Sequence, residues 1–407
     1  MVSSFPFRRP TPFQIPEEYR EFQRNDEIPD IPLAHTGSTY VVTQYEDVRH
    51  CLSSTSFSIQ RTHPNYPSPL PIPESFRTNG SMLSMDPPEH TALRSKIQAE
   101  FTAQRTRERT PMVHAIVNAH LTRFLQRPSR TGDIAADFAV PMALEVVSTL
   151  LGLPSKDVPA LFEATQGMFA GDRTQEERVA AITFLEDYFD SFVQERIDSP
   201  HDDLMGRVIT KNPELTKNEF IHLARLMMNG GHDSVASTIS LSVVLLLHHH
   251  DIYKRLAQEP ELVTNVVEEL LRLLSVTDLA TARVAAEPVS IRNHQIPEGA
   301  GVYPSTAAAN RDPSVFPNPD SFDPERANIK RHVTFGHGRH RCLGADFARL
   351  ELREVLTALS TRVPSLALAV PEEELHFQDR GFVYKAQAVP VQWSEQDASS
   401  SSHMAAE

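Results

Sequence analysis

Residues 335–344 read FGHGRHRCLG. His337, His340 and Cys342 fall within six positions of one another, each a possible metal ligand. A zinc site needs three or four nitrogen and sulfur ligands converging tetrahedrally, and no further His or Cys pair stands nearby to complete one. A phosphate loop needs Lys-Ser/Thr after its last glycine; Ala345-Asp346 stands there instead. One sulfur at a turn is left. Cys342 follows a Gly-x-Gly turn and opens the amphipathic run ADFARLELREVLTALSTRV. A helix N-terminus offers free N–H groups and partial positive charge, so the placement predicts a lowered thiol pKa and a held thiolate. Gly336 and Gly338 allow a tight turn, Gly344 lets a flat group come close, and Phe335 supplies an apolar wall.

Composition narrows the classes. The 407 residues are 40% hydrophobic and 23% charged, ordinary for a globular enzyme with a core large enough to enclose a ligand. A net charge of −14 excludes a nucleic-acid protein, whose binding rests on excess Lys and Arg. No run approaches the roughly 20 apolar residues of a membrane span, and the start, MVSSFPFRRPTPFQIPEEYR, lacks the apolar core of a signal peptide. A cytoplasmic protein is expected. With only Cys51 and Cys342 a disulfide framework is out; Cys51, in EDVRHCLSSTSF, reads as a buried hydrophobe.

The patterning predicts one large domain, mainly α with small β-sheets, over 1–393. A low-complexity tail, 394–407, is expected to be disordered and ends in what looks like an expression-tag remnant. HTGSTYVVTQYEDVRHCL reads as a hairpin strand feeding a helix, and 63–73 as an extended proline-rich loop. Residues 89–275 are mostly helical. RVAAEPVSIRNHQIPEGAGVYP changes period to short strands, and ANRDPSVFPNPDSFDPERA is an irregular meander. Thr216 and Glu219 form a capping box opening one helical rod of about 50 Å to His249. Gly230-Gly231 inside it costs around 1 kcal/mol per glycine, so close approach of a ligand is expected to offset it. His248-His249-His250 reads as a helix-end dipole complement rather than a metal tract, and His337 as a solvated side chain.

The run F-G-x-G-x-[HR]-x-C-x-G resembles the heme-binding signature of the cytochromes P450, matched at Phe335, Gly336, Gly338, His340, Cys342 and Gly344. The resemblance implies the cytochrome P450 fold and heme b (iron protoporphyrin IX), with Cys342 as the axial thiolate and His340 on a propionate. Further pieces follow in family order. MDPPEHTALR carries His90 and Arg94 on one helical face, and TARVAA carries Arg283, all implied propionate partners. Glu269-x-x-Arg272 with Arg326 of the meander resembles the family's structural triad. Gly230-Gly231-His232-Asp233-Ser234 resembles the oxygen-side motif, with Gly231 against the cofactor and Asp233 and Ser234 as the acid–alcohol pair that relays protons to O2. Ser234 stands where the family usually has Thr and lacks the methyl that fixes its rotamer.

The implied pocket draws on the 63–84 loop, Met227, Gly230, Thr277, Asp278 and Phe382, mainly apolar with Thr277 and Asp278 as polar anchors. This suits a sizeable, moderately polar organic small molecule, hydroxylated in secondary or xenobiotic metabolism. Oxidative C–C or C–N coupling is the alternative the Ser234 and Gly230 departures keep open. Lys330, Arg331, Arg339 and Arg341 lie in a stretch without acids. They imply docking of an acidic ferredoxin, itself fed by NAD(P)H through a ferredoxin reductase. A monomer is expected.

Overall fold

A computed structural model describes residues 5–33, 36–68, 81–169, 174–378 and 381–397. Residues 69–80 of the expected pocket loop and 398–407 of the tail lie outside the described residues. Helices dominate, as the periodicity predicts, and their ends follow local chemistry. Pro111 and Pro141 sit in the first turns of Thr110–Leu125 and Val140–Leu151. Gly152, at φ 81°, closes the second in the left-handed conformation. The Thr216–Glu219 capping box is formed in full.

The expected single rod is two helices. Lys217–Gly231 ends at His232 (φ −119°, ψ −53°) and Asp233–His248 starts beyond it. Val235 to Leu246 are buried throughout, polar residues included. A helix covered on all sides is a core helix. Ile134–Leu151 and Lys217–His248 are long and apolar enough to cross a membrane by length and composition, but 67% and 72% of their most apolar 18-residue windows are buried inside the protein. Both serve as core.

The principal sheet has five strands, in the order Asp30–Pro32, Ser38–Val42, Gly301–Pro304, Arg283–Ala285, Phe57–Ser58. Ser38–Val42 runs parallel to Gly301–Pro304 with Tyr40 opposite Val302; the other pairs are antiparallel. Arg283 is thereby fixed at the start of an inner strand. Val289–Ile291 and His294–Ile296 form the hairpin expected at RNHQ.

The meander is locked as the triad implies. Glu269 and Arg272 are fully buried, and Arg272 donates to both Glu269 oxygens at 2.7 Å. Arg272 also reaches the carbonyls of Asn310 (2.8 Å) and Pro319 (2.7 Å), while Arg326 donates to Glu269 at 3.2 Å. Cys51 is buried as read, and burial pushes its thiol up. Packing continues four residues past the expected boundary: Asp397 is buried and accepts a hydrogen bond from Ser365. The His tract is less solvated than read. His248 meets Glu372 at 2.9 Å, His249 packs on Phe322 and His250 stacks on Tyr253.

Candidate functional site

Cys342 hangs in a loop whose shape comes from its own backbone. Its N–H donates to the Phe335 carbonyl at 2.8 Å, Gly336 N–H to Val333 at 2.8 Å, and Arg341 N–H to Gly338 at 3.1 Å. Gly336 and Gly338 have φ of 72° and 71°, and a Cβ on Gly338 would lie 2.7 Å from Ser53 Cα. The glycines are required by the turn and by that contact. A helix, Ala345–Arg362, starts three residues after the sulfur.

A concavity of about 460 Å³ opens beside Cys342, lined by Arg94, Gln98, Phe101, Arg341 and Leu343 among others. Cys342 is exposed to this hollow, with protein crowding its sulfur from the other sides. Burial therefore pushes its thiol up, against the Gly344 N–H and the charges of Arg341, Arg94 and Arg349, which pull it down. The expected lowering is thus overturned in the bare fold, because desolvation outweighs the helix terminus. A bound cation would reverse the balance, since a coordinating thiol deprotonates.

The basic residues singled out from sequence come together above this loop. The His90 and His340 rings lie 4.0 Å apart, centre to centre. His90 is 1% exposed and its Nδ1 has no hydrogen-bond partner among the described residues. Arg283 is buried and spends Nη1 on the carbonyls of Thr281 and Ala282, both at 2.9 Å. Arg94 donates to the Arg341 carbonyl at 2.7 Å, tying its helix to the cysteine loop. Burial, then His90, Arg283, Arg339 and Arg94, push His340 down to about 3. Buried His90 and Arg283 and half-buried Arg94 and His340, repelling one another and with an orphaned ring nitrogen among them, suit an anionic group. A Cβ on Gly344 would meet nothing within 4 Å, leaving space beside the sulfur for a flat ring. The residues present therefore fit a heme: sulfur for iron, and His90, Arg94, Arg283 and His340 for its carboxylates. Among the described residues no group of three His, Cys, Asp or Glu could hold a metal ion.

The helix break at His232 holds the acid–alcohol pair. Ser234 Oγ lies 3.4 Å from the Gly230 carbonyl freed there. Asp233 is half-buried and pairs with Lys385 Nζ at 3.2 Å. His232 turns inward, its Nδ1 2.8 Å from the Met228 carbonyl, and burial lowers its pKa. The two glycines divide the work, and the open space at Gly230 is as expected. A Cβ on Gly231 would lie 2.7 Å from Val147 Cγ2, so its tight contact is with the neighbouring helix; Gly230 is the one beside open space.

The expected pocket residues do not all converge. Met227 is 9% exposed and belongs to the main core. Asp278 is no substrate anchor: it accepts from Tyr303, Ser305 and Thr306 hydroxyls and the Ala307 N–H. That network uses the carboxylate up, fixing the segment after the triad helix to the sheet. Thr277 beside it is half-buried. Phe382 lines a small hollow with Pro6, Phe7, Arg9 and Tyr19 of the N-terminal segment. His337 is half-buried with Arg49 3.4 Å from its Nε2, not simply solvated. Sequence reading missed Lys385, 152 residues from Asp233 in sequence, and missed Glu268. The only signal for Glu268 was a second carboxylate beside Glu269 in the apolar run VVEELLRLL.

Comparison with known proteins agrees with this geometry. The family model described as Cytochrome P450 matches residues 143–362. The chain is 34% identical to Cytochrome P450 105A3 of Streptomyces carbophilus over 96% of each chain. It is 36% identical to Nocardicin C N-oxygenase of Nocardia uniformis subsp. tsuyamanensis, over 96% of this chain and 98% of that one. It superposes with a TM-score of 0.90 on mycinamicin VIII C21 methyl hydroxylase of Micromonospora griseorubida, solved with mycinamicin VIII bound. There the identity is 30%, over 96% of this chain and all (100%) of the other. With the thiol, the basic cluster and the broken helix in these places, the chain belongs to the cytochrome P450 family of heme-thiolate proteins and is an oxidoreductase of the monooxygenase type.

Proposed function

We propose that this cytochrome P450 hydroxylates a sizeable organic small molecule of secondary metabolism, in the cytoplasm. Its cofactor is heme b, and its electrons come from NAD(P)H through a separate ferredoxin reductase and ferredoxin. One observation carries the reading: a single thiol lining a hollow, next to a basic cluster in which the buried His90 Nδ1 has no hydrogen-bond partner among the described residues. Cys342 binds the iron; His90, Arg94, Arg283 and His340 hold the propionates; Phe335 and Gly344 flank the ring. When bound, the heme supplies the reduction of O2 and the oxidation of a C–H bond.

The remaining residues bind, orient and move protons. Ser234 presents its hydroxyl at the helix break, and Asp233, tethered by Lys385, holds the adjoining proton site. Gly230, open above, leaves room for a bulky substrate. Similar enzymes named for nocardicin C and mycinamicin VIII support a natural product as that substrate. Exposed Lys330 and Arg341 favour an acidic electron donor; Arg331 is drawn to Glu46 at 3.4 Å and Arg339 to the Ser53 carbonyl at 2.8 Å. The test is a library screen for spin-state shifts, with mass analysis of products from the reconstituted system. Gain of one oxygen supports hydroxylation. Loss of two hydrogens from every binding compound would overturn it in favour of coupling.

A further inference from the structure

Behind the Phe335 wall lies a buried ionic cluster that none of these roles uses. Glu268 sits one residue before the triad glutamate, on the helix Leu262–Leu274. Its carboxylate accepts Arg349 Nε at 2.6 Å and Nη2 at 2.9 Å, and meets His332 Nε2 at 2.8 Å. Burial raises its pKa, but the hydrogen bonds and charges of His332 and Arg349 prevail and hold it at about 2. It is an anion under all working conditions. Burial also lowers the pKa of His332, against the Glu268 carboxylate, whose hydrogen bond and charge raise it. Arg349 lies on the helix that follows Cys342, and its guanidinium carbon is 4.6 Å from the Phe335 ring centre. The ion pair is therefore oriented, with its positive end on the ring whose carbonyl holds the Cys342 N–H and its negative end behind. Asp346 touches Arg349 only at 3.4 Å from an exposed position.

A fixed charge in a poorly hydrated site acts on a nearby change of charge far more strongly than in water. Reducing iron from ferric to ferrous adds one electron, and a nearby cation favours that state. We infer that Arg349 is a positioning residue that raises the reduction potential of iron held at Cys342, and that the Glu268 carboxylate paired with it offsets part of that effect. This rests on the heme-thiolate reading of the site.

The test is a potentiometric titration of the heme-loaded full chain and its variants, with the reduced carbon monoxide spectrum recorded alongside. In Arg349→Gln the ferrous-to-ferric ratio at fixed potential should fall about tenfold, about 59 mV for a one-electron couple. Glu268→Gln should move it the opposite way, and Arg349→Lys should stay within about threefold of wild type. The double variant Glu268→Gln/Arg349→Gln should lie between the two single ones. A merely structural role predicts shifts of one sign, or none, in both single variants, and either result overturns the inference. Should Arg349→Gln fail to bind heme, Glu268→Gln still decides the sign: a fall in potential, or no shift, overturns the inference. A wild-type protein without the red-shifted carbon monoxide band would instead overturn the heme-thiolate reading itself.

Discussion

Replacing Glu269 by glutamine removes one charge and no volume. In the folded protein Glu269 receives Arg272 twice at 2.7 Å, the Asp323 N–H at 3.0 Å and Arg326 at 3.2 Å. Arg272 is 0% and Arg326 7% exposed, so neither guanidinium can recover water when the carboxylate is neutralised. Breaking a buried pair by removing one partner costs about 3–5 kcal/mol. Unfolding entropy of about 2.1 cal/mol/K per residue, over 407 residues, comes to roughly 0.85 kcal/mol/K. Glu269→Gln should therefore lower the melting temperature by about 4–6 °C, followed by circular dichroism at one scan rate. Because the triad holds the meander that leads into the cysteine loop, heme content should fall too, read as the ratio of Soret to protein absorbance. Glu269→Ala adds a cavity to the lost charge and should melt lower still. If Glu269→Gln melted within 1 °C of wild type, the charge would be idle and the locking argument wrong.

Three further outcomes follow from the site. Cys342→Ala should abolish the red-shifted Soret band of the reduced carbon monoxide complex; a variant that kept the band would remove the axial ligand from this position. Ser234→Ala should lower product formed per NAD(P)H consumed by on the order of tenfold or more, while O2 uptake persists; full coupling in that variant would refute the proton role. Glu268 has a folded pKa of about 2, depressed from 4.5, so its contribution is complete above pH 4.5 and lost as pH falls toward 2. It is worth on the order of 3 kcal/mol, and in melting curves between pH 5 and 3 the fall in stability should be shallower for Glu268→Gln than for wild type.

What the sequence revealed, and what it hid, follows from the reach of each interaction. His90 and Arg94 share a helical face because they are four apart, and the structure turns both toward the cysteine loop. Glu269 and Arg272, three apart among apolar residues, had to be buried together, and a buried pair needs further donors, which Arg326 supplies. Such constraints are local, or force a partner of known type. The helix break is different. Two glycines mark a weak point, but periodicity continues through them, and the close fit of Gly231 against Val147 is made with another helix. Asp278 looked free because its four donors come from residues 303–307, on a strand and turn whose place beside it no local pattern encodes.

The same reasoning explains why the basic cluster was easier to assemble from sequence than the Lys385 and Arg349 contacts around it. Each basic group is placed by its own element: a helix face for His90 and Arg94, a strand start for Arg283, a glycine-shaped turn for His340. Their convergence serves a ligand, so the motifs that specify the ligand specify them. Lys385 and Arg349 instead serve other side chains, Asp233 and Glu268, and are placed only by how a hairpin or helix packs against a helix far away in sequence. These two arginine and lysine contacts are where the scaffold can alter proton delivery and electron affinity without touching the ligand set. That makes them the positions at which two enzymes with the same cysteine loop are free to differ.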